Sequence, residues 1–336
     1  MVERKPQLQQ LKRLVNVNQI KILSAASSAR YRWIIFIGLV LSISIVILFF
    51  SGILAGRQTI TLFYTASLQG NLDGCDCKHI PRAGFVKRAY FLNNQKMVGE
   101  PILVDAGDIF EISAEPILSE LILKSYKDLG YVAVATGDQE LSLGIDKVAE
   151  WASMYPLVSH NLLIGKIHSD NTLSNLPKIV QRGRVRVAIL SLIEEASLAK
   201  RDIGSDPEYR IISPHIAAEA GIDEARARGA VLFIVLFHGR IAAAEELAGQ
   251  VKDIDIIIVG HEGTLMDLER VDKTVLVSPG EEGNWIGIMK VNLQRGRIRR
   301  IENKFKDFSY KDDPDDPAIR ERIEKYETDL RTILAE

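Results

Sequence analysis

The chain has little cysteine. Cys75 and Cys77 are the only two among 336 residues. Their C-x-C spacing excludes the C-x-x-C-H run of covalent haem attachment. There is no surplus of either charge, since the formal net charge is −2. That removes any global electrostatic case for nucleic acid. No internal repeat and no long low-complexity stretch is visible, so repeat architectures are set aside.

The most informative absence is local. From Trp33 to Ala55 the chain carries no charged residue and reads WIIFIGLVLSISIVILFFSGILA. A membrane-crossing helix needs about 20 apolar residues. A core helix of this length would show a polar face, and none is present. No cysteine follows the run, which excludes a lipoprotein signal. The run exceeds the roughly 7–15 apolar residues of a cleaved signal, and Ile53 breaks the small-residue pattern before Ala55. The expectation is an uncleaved signal-anchor over residues 33–55. Residues 1–32 carry Arg4, Lys5, Lys12, Arg13, Lys21, Arg30 and Arg32 against Glu3. Such a basic flank holds its end in the cytoplasm. This tail either lies on the inner leaflet as a helix or stays disordered. The rest of the chain is then expected outside the inner membrane, in the periplasm or extracellular space.

Beyond Arg57 there is ample material for a core; 47% of the whole chain is hydrophobic. Short apolar runs recur: TITLFYT (59–65), PILVDAG (101–107), YVAVATG (131–137), PLVSHNL (156–162), VRVAILSL (185–192), AVLFIVLFHG (230–239), DIIIVGH (255–261) and TVLVSPG (274–280). Most are too continuous for half-exposed strands and read as strands buried on both faces. Helical patterns alternate with them, at Ala83–Asn93, Pro116–Leu129, Leu141–Trp151, His215–Arg228 and Ile241–Val251. Alternation of this kind gives an α/β fold. NWIGIMKVNL and GRIRRIENKF then read as a hairpin turning at Gln294-Arg295-Gly296. DDPDDP (312–317) closes the domain, and a last helix is expected from Ala318 to Leu334. Its seam of Ile319, Ile323, Tyr326, Leu330 and Ile333 has coiled-coil spacing. It is expected to pack on its own domain, over the sheet edge left by the hairpin; self-association through this helix is the alternative.

Ligands in open α/β sheets collect at the carboxyl ends of strands. Four runs end in a metal-competent side chain: Asp108, Asp138 with Glu140 two residues on, His238 and His261. A lone histidine at a strand end is usually structural. Two carboxylates and two imidazoles at four converging ends fit a divalent transition metal.

The same motifs carry a resemblance. YTASLQGNL (64–72), DAGDIF (105–110), GYVAVATGDQELSLG (130–144), SHNL (159–162), FHG (237–239) and VGHEG (259–263) occur in that order. In order and spacing they resemble the motifs of the calcineurin-like metallophosphoesterases, in their 5′-nucleotidase branch. The likeness runs from about Ile60 to Leu293. It implies a four-layer α/β/β/α sandwich over residues 58–310, with residues 311–336 as a C-terminal helix.

The resemblance also implies site roles. Family members bind two metals that share one aspartate, and Asp108 holds that position. Asp138, in place of an asparagine, His238 and His261 match the remaining ligands of one ion. The positions for the other ion hold Ser67, Gln69 and Gly263, which supply neither the anion nor the two imidazoles. Gln139 replaces the histidine that steadies the phosphate. The expectation is one divalent ion, manganese, zinc or iron, rather than two, with Asp108 and His238 as catalytic residues. Two readings follow: a phosphoester hydrolase working on one intact metal half-site, or a catalytically inactive descendant acting as a binding or structural module. The partner is accordingly a small phosphoester or a protein outside the cytoplasm. The second domain that grips the nucleoside in family nucleotidases is not expected here, and neither is nucleotide specificity. Cys75 and Cys77 lie in the loop after the altered first motif. They either pair in a disulfide or, with His79, hold a soft metal.

Overall fold

The computed structural model describes residues 32–45, 56–78, 81–95, 100–164, 173–174, 176–198 and 209–335. It divides into two units, Met1–Arg57 and Gln58–Glu336. In the first, residues 32–45 form a helix, α1, whose side chains are exposed, Trp33 at 63% and Ile45 at 65%. Among the described residues no helix is long and apolar enough to cross a membrane. Residues 46–55 of the expected anchor and residues 1–31 of the basic tail lie outside the described residues.

In the second unit, continuous apolar runs become the centres of two six-stranded sheets. The first contains β1 (Arg57–Thr65), β2 (Ile102–Asp105), β3 (Tyr131–Ala135), β4 (Leu157–Val158), β13 (Trp285–Gln294) and β14 (Arg297–Asp307) in the order β14-β13-β1-β2-β3-β4. The second contains β6 (Lys178–Arg182), β7 (Val185–Ile193), β9 (Leu232–Gly239), β10 (Ile256–His261), β11 (Leu265–Val271) and β12 (Thr274–Pro279) in the order β11-β12-β10-β9-β7-β6. β5 (Leu162–Ile164) and β8 (Tyr209–Ile211) pair separately. β1, β2 and β3 run parallel, as do β7, β9, β10 and β12. Parallel strands of this kind are buried on both faces, which explains their unbroken hydrophobicity.

The helices are α2 (Phe85–Asn94), α3 (Pro116–Asp128), α4 (Asp138–Leu141), α5 (Ile145–Ala152), α6 (Pro214–Ala227), α7 (Ile241–Gln250) and α8 (Pro317–Ala335). Three buried layers separate the elements. Leu62, Tyr64 and Val104 of the first sheet meet Ile189, Leu236 and Ile258 of the second. Phe63 and Val134 pack outward with Phe85, Ile122 and Ile319 of α2, α3 and α8. Val235, Ile257 and Leu276 pack outward with Ile222 of α6 and Leu247 of α7. The result is the expected α/β/β/α order.

The hairpin turns on Arg295 and Gly296, with φ of 52° and 73°. Two consecutive positive φ values are what a two-residue turn of the favoured hairpin type requires. β8 of the small pair has no counterpart among the sequence expectations, and two strands of the large sheets, β6 and β11, have none either. These two are sheet edges, KIVQR and LMDLERV, largely exposed and interrupted by charge. Edge strands keep charged side chains because only part of their surface is covered. Helix α8 packs against α2 and α3 rather than over the hairpin edge. Asp316 caps it by accepting the N–H groups of Ala318 and Ile319, and Pro317 stands at its first turn. Its seam is unevenly used: Ile319 and Ile323 are buried, whereas Ile333 is 54% exposed.

Candidate metal centre

The cleft begins with a buried carboxylate that is not a ligand. Asp105 ends β2 and accepts hydrogen bonds from the Thr65 hydroxyl (2.5 Å), the Tyr126 hydroxyl (3.1 Å) and the Gly107 N–H (2.9 Å). Arg88 of α2, fully buried, donates to Tyr126. Burial pushes the Asp105 carboxyl above its ordinary range, against the pull of Arg88. The network fixes the turn Asp105-Ala106-Gly107-Asp108. Gly107 has φ of 94°, and a Cβ there would lie 2.8 Å from His238 Nδ1, so only glycine fits.

Glu140 fixes the same turn from the other side. Its carboxylate accepts the N–H groups of Gly137 (2.6 Å), Asp108 (3.1 Å), Ile109 (2.8 Å) and Phe110 (3.3 Å). Burial, with the nearby charge of Asp108, raises Glu140 to about 7. It thus ties the loop after β2 to the loop after β3. Sequence reasoning noted Glu140 only as a neighbour of Asp138. The signal was in the string GDQE, whose glutamate matches the acid that ends the family's third motif.

Asp108, Asp138, His238 and His261 converge at this point. One ligand atom from each lies within 4.8 Å of all the others. His238 is fully buried at the end of β9. Its Nδ1 hydrogen-bonds the Ala106 carbonyl at 3.0 Å. That leaves Nε2 facing Asp138 Oδ1 at 3.2 Å and Asp108 Oδ1 at 3.5 Å. A histidine oriented by a backbone carbonyl on one nitrogen is the usual arrangement of a metal ligand. His261 ends β10 with its Nδ1 3.3 Å from Asp138 Oδ1 and 3.6 Å from Asp108 Oδ2. These contacts are electrostatic and lack hydrogen-bond geometry, so this nitrogen has no hydrogen-bond partner. Burial lowers His238, but the charge of Asp108 and the contact with Asp138 outweigh it and raise the group. Asp108 and then Asp138 lift His261 to about 9. Two carboxylates drawing protons onto two imidazoles mark a place where a cation is stabilised, and metal binding would release those protons. Two nitrogens and two carboxylate oxygens suit manganese, zinc or iron.

The altered motif positions lie beside this quartet. The Gln69 N–H donates to the Asp108 carbonyl at 2.9 Å. Its side-chain amide donates to Glu281 Oε2 at 3.0 Å. A Cβ built on Gly263 would lie 2.3 Å from that same oxygen. Glu281 therefore fills the space that a side chain at 263 would need. Sequence reasoning missed this residue; its only signal was the acid pair Glu281-Glu282 directly after β12. Ser67 Oγ and Gln139 Oε1 are buried without hydrogen-bond partners, while the Gln139 N–H donates to Asp108 Oδ1 at 3.2 Å. Among the described residues, seven non-glycines have positive φ, and Ser67, Gln69, Asp108, His261 and Glu282 are five of them. Backbone strain concentrated in this way accompanies functional sites.

Cys75 and Cys77 are joined by a disulfide. His79 lies outside the described residues. The loop is pinned by backbone bonds between Cys75 and Arg82 at 2.9 and 3.0 Å, and Arg82 pairs with Glu282 at 2.8 Å. His160 is buried away from the quartet. Its Nδ1 accepts the Ser191 N–H at 2.9 Å and its Nε2 faces the Leu176 carbonyl at 3.1 Å, a satisfied structural histidine.

No protein-family model matches the chain. It is 25% identical over 211 residues to a snake venom 5′-nucleotidase of Gloydius brevicauda, a match covering 60% of this chain and 35% of that protein. Its fold is similar to that of a 5′-nucleotidase precursor from Thermus thermophilus, with a TM-score of 0.72, 20% identity, and coverage of 82% of this chain and 60% of the other. It is also similar to the calcineurin-like phosphoesterase YfkN from Bacillus subtilis, with a TM-score of 0.68, 16% identity, and coverage of 83% and 100%. The chain spans about a third of the venom protein's length and three-fifths of the Thermus protein's. The sandwich, the order of the motifs and these likenesses agree: the chain has the calcineurin-like metallophosphoesterase fold and resembles the 5′-nucleotidases within it.

Proposed function

We propose that the chain is a metal-dependent phosphoester hydrolase using one divalent ion held by Asp108, Asp138, His238 and His261. The observation that carries this reading is the convergence of the four ligand atoms within 4.8 Å. A bound divalent ion would supply Lewis acidity toward a phosphoryl oxygen and lower the pKa of a bound water. The chain's own part is positioning. The Ala106 carbonyl holds His238 in one orientation, and Glu140 and Asp105 hold the Asp108 turn from two sides. Asp108 and Asp138 each face both histidines, and with the His238–Ala106 bond they join the loops of the two sheets.

The setting proposed for this activity is the outer face of a membrane, with residues 33–55 as a single-pass anchor and the N-terminus in the cytoplasm. Three features support it: the uncharged run, its basic flank and the exposed apolar side chains of α1. The disulfide suits an oxidising compartment. A small phosphoester is the substrate class.

Metal analysis of the purified chain, followed by hydrolysis of bis(p-nitrophenyl) phosphate with added manganese or zinc, tests the reading. One bound equivalent and metal-dependent turnover are expected. Absence of bound metal overturns it. Bound metal without turnover of any phosphoester would instead identify a binding module that kept the cleft.

A further inference from the structure

The cleft holds one carboxylate that neither the quartet nor its supports use. Glu281 stands in the loop after β12, half-buried. Its Oε2 accepts from Gln69, whose own backbone is bonded to the Asp108 carbonyl. The same oxygen occupies the place of a side chain at residue 263, two positions beyond the ligand His261. Gln69, Gly263 and Glu281 therefore form one unit: the amide holds the carboxylate, and the missing side chain makes room for it.

Little positive charge balances it. Among the described residues, two arginines reach these loops. Arg82 is paired with Glu282 at 2.8 Å, and Arg240 is bound through its backbone and guanidinium to Glu194. An incoming phosphate group thus meets a fixed negative charge beside the metal site and finds both arginines already engaged. Repulsion between two charges scales with their product, so a dianion is disfavoured twice as strongly as a monoanion at the same distance.

We propose that Glu281 sets the charge preference of the cleft, excluding dianionic phosphate monoesters and leaving singly charged phosphodiesters as its substrates. This rests on the metal-centre reading above and narrows its substrate class.

The test compares two anions that differ in charge and require no turnover. Inorganic phosphate at mildly alkaline pH and dimethyl phosphate are titrated into the manganese-loaded chain by calorimetry. Wild type is expected to prefer dimethyl phosphate. Glu281→Gln is the same size and keeps an acceptor for Gln69. It is expected to tighten inorganic phosphate about tenfold and dimethyl phosphate about threefold, the square root of that factor, as the charge ratio requires. Glu281→Asp, which draws the carboxylate back by one methylene, should give a smaller shift in the same order and serves if the first variant folds poorly. Equal shifts for both anions, no shift, or no anion binding by any variant would overturn the proposal. Manganese uptake is measured first. A chain that takes up none sinks the metal-centre reading and this proposal with it, whereas a manganese-loaded chain whose anion affinities do not respond to Glu281 sinks the proposal alone.

Discussion

The two halves of the cleft are built differently. The quartet half takes its ligands from the ends of strands and the turns that follow them, and each turn is tied down from behind. Asp105, Glu140 and the Ala106 carbonyl all bond to it from buried positions. The other half consists of loop residues whose backbone is tied to the Asp108 turn through Ser67, Gln69 and Gly70, but whose side chains bond to one another, Gln69 to Glu281 and Glu282 to Arg82, and it leaves Ser67 Oγ and Gln139 Oε1 without partners. A ligand lasts as a ligand when its orientation is enforced by groups that cannot move cheaply. The quartet side chains have such supports, whereas in the other half the space beside Gly263 is taken by the Glu281 carboxylate.

The comparison breaks most directly under substitution of one residue from each side. His238→Ala should cost more than about a hundredfold in manganese or zinc affinity, beyond the 10–100-fold typical of residues that only support ligands. It should also destabilise the metal-free protein by about 3 kcal/mol, because the buried carboxylates of Asp108 and Asp138 lose a facing imidazole. Gln69→Ala should change metal affinity by less than about threefold, since its side chain bonds Glu281 and none of the four ligands. Metal titration and thermal melting of both variants decide it. Comparable losses would mean that the two halves act as a single site.

The quartet was legible in the sequence because each ligand follows a long apolar run, and a run buried on both faces announces its strand. Asp108 and His261 needed only the rule that sites gather at strand ends. What supports them was harder to read. Arg88 sits in α2 with no local sign that its guanidinium reaches the hydroxyl of Tyr126 in α3, a contact made only when the helices pack. Glu281 was invisible for a related reason: a glycine at 263 and an acid at 281 become one feature only when β11 and β12 pair. The edges β6 and β11 were missed because partial exposure lets charge interrupt their pattern. Of the uncharged run 33–55, residues 33–45 lie in α1 and residues 46–55 lie outside those described.

A carboxylate near the opposite end of the histidine-bearing strands separates the scaffold from the site. Asp255 immediately precedes β10 and accepts the Phe233 N–H at 2.9 Å; burial raises it to about 6. Its folded pKa lies above its unfolded value of 3.8. The folded state therefore holds this proton more firmly, and stability falls as pH rises from about 4 to about 6, then levels. Asp255→Asn keeps an acceptor for Phe233 and removes the ionisation. Above pH 6 it should be more stable than wild type by about 3 kcal/mol, converging with it below about pH 4. Melting temperature against pH checks the stability, and metal titration should show no change. A shift in metal affinity would mean that strain at one end of these strands reaches the ligands at the other.

The finest test asks whether Gly263 and Glu281 are a pair. Gly263 has φ of 64°, so alanine there costs about 1 kcal/mol in backbone conformation alone. In wild type it must also displace the Glu281 carboxylate, 2.3 Å from the new Cβ, and thereby break its bond to Gln69. That adds roughly 0.5–1 kcal/mol, in the range found for residues in direct contact. Glu281→Ala alone removes a half-buried side chain and one hydrogen bond, and should cost about 0.5–1 kcal/mol. In the double variant nothing remains to displace, so Gly263→Ala should cost only its backbone share. The cycle of four melting curves should therefore show a coupling of about 0.5–1 kcal/mol, with the double variant more stable than the sum of the singles implies. A coupling of zero would mean that Glu281 swings clear at no cost. The second half of the cleft would then be a loose loop with a carboxylate on it, and the contrast with the firmly held quartet would be one of rigidity rather than of chemistry.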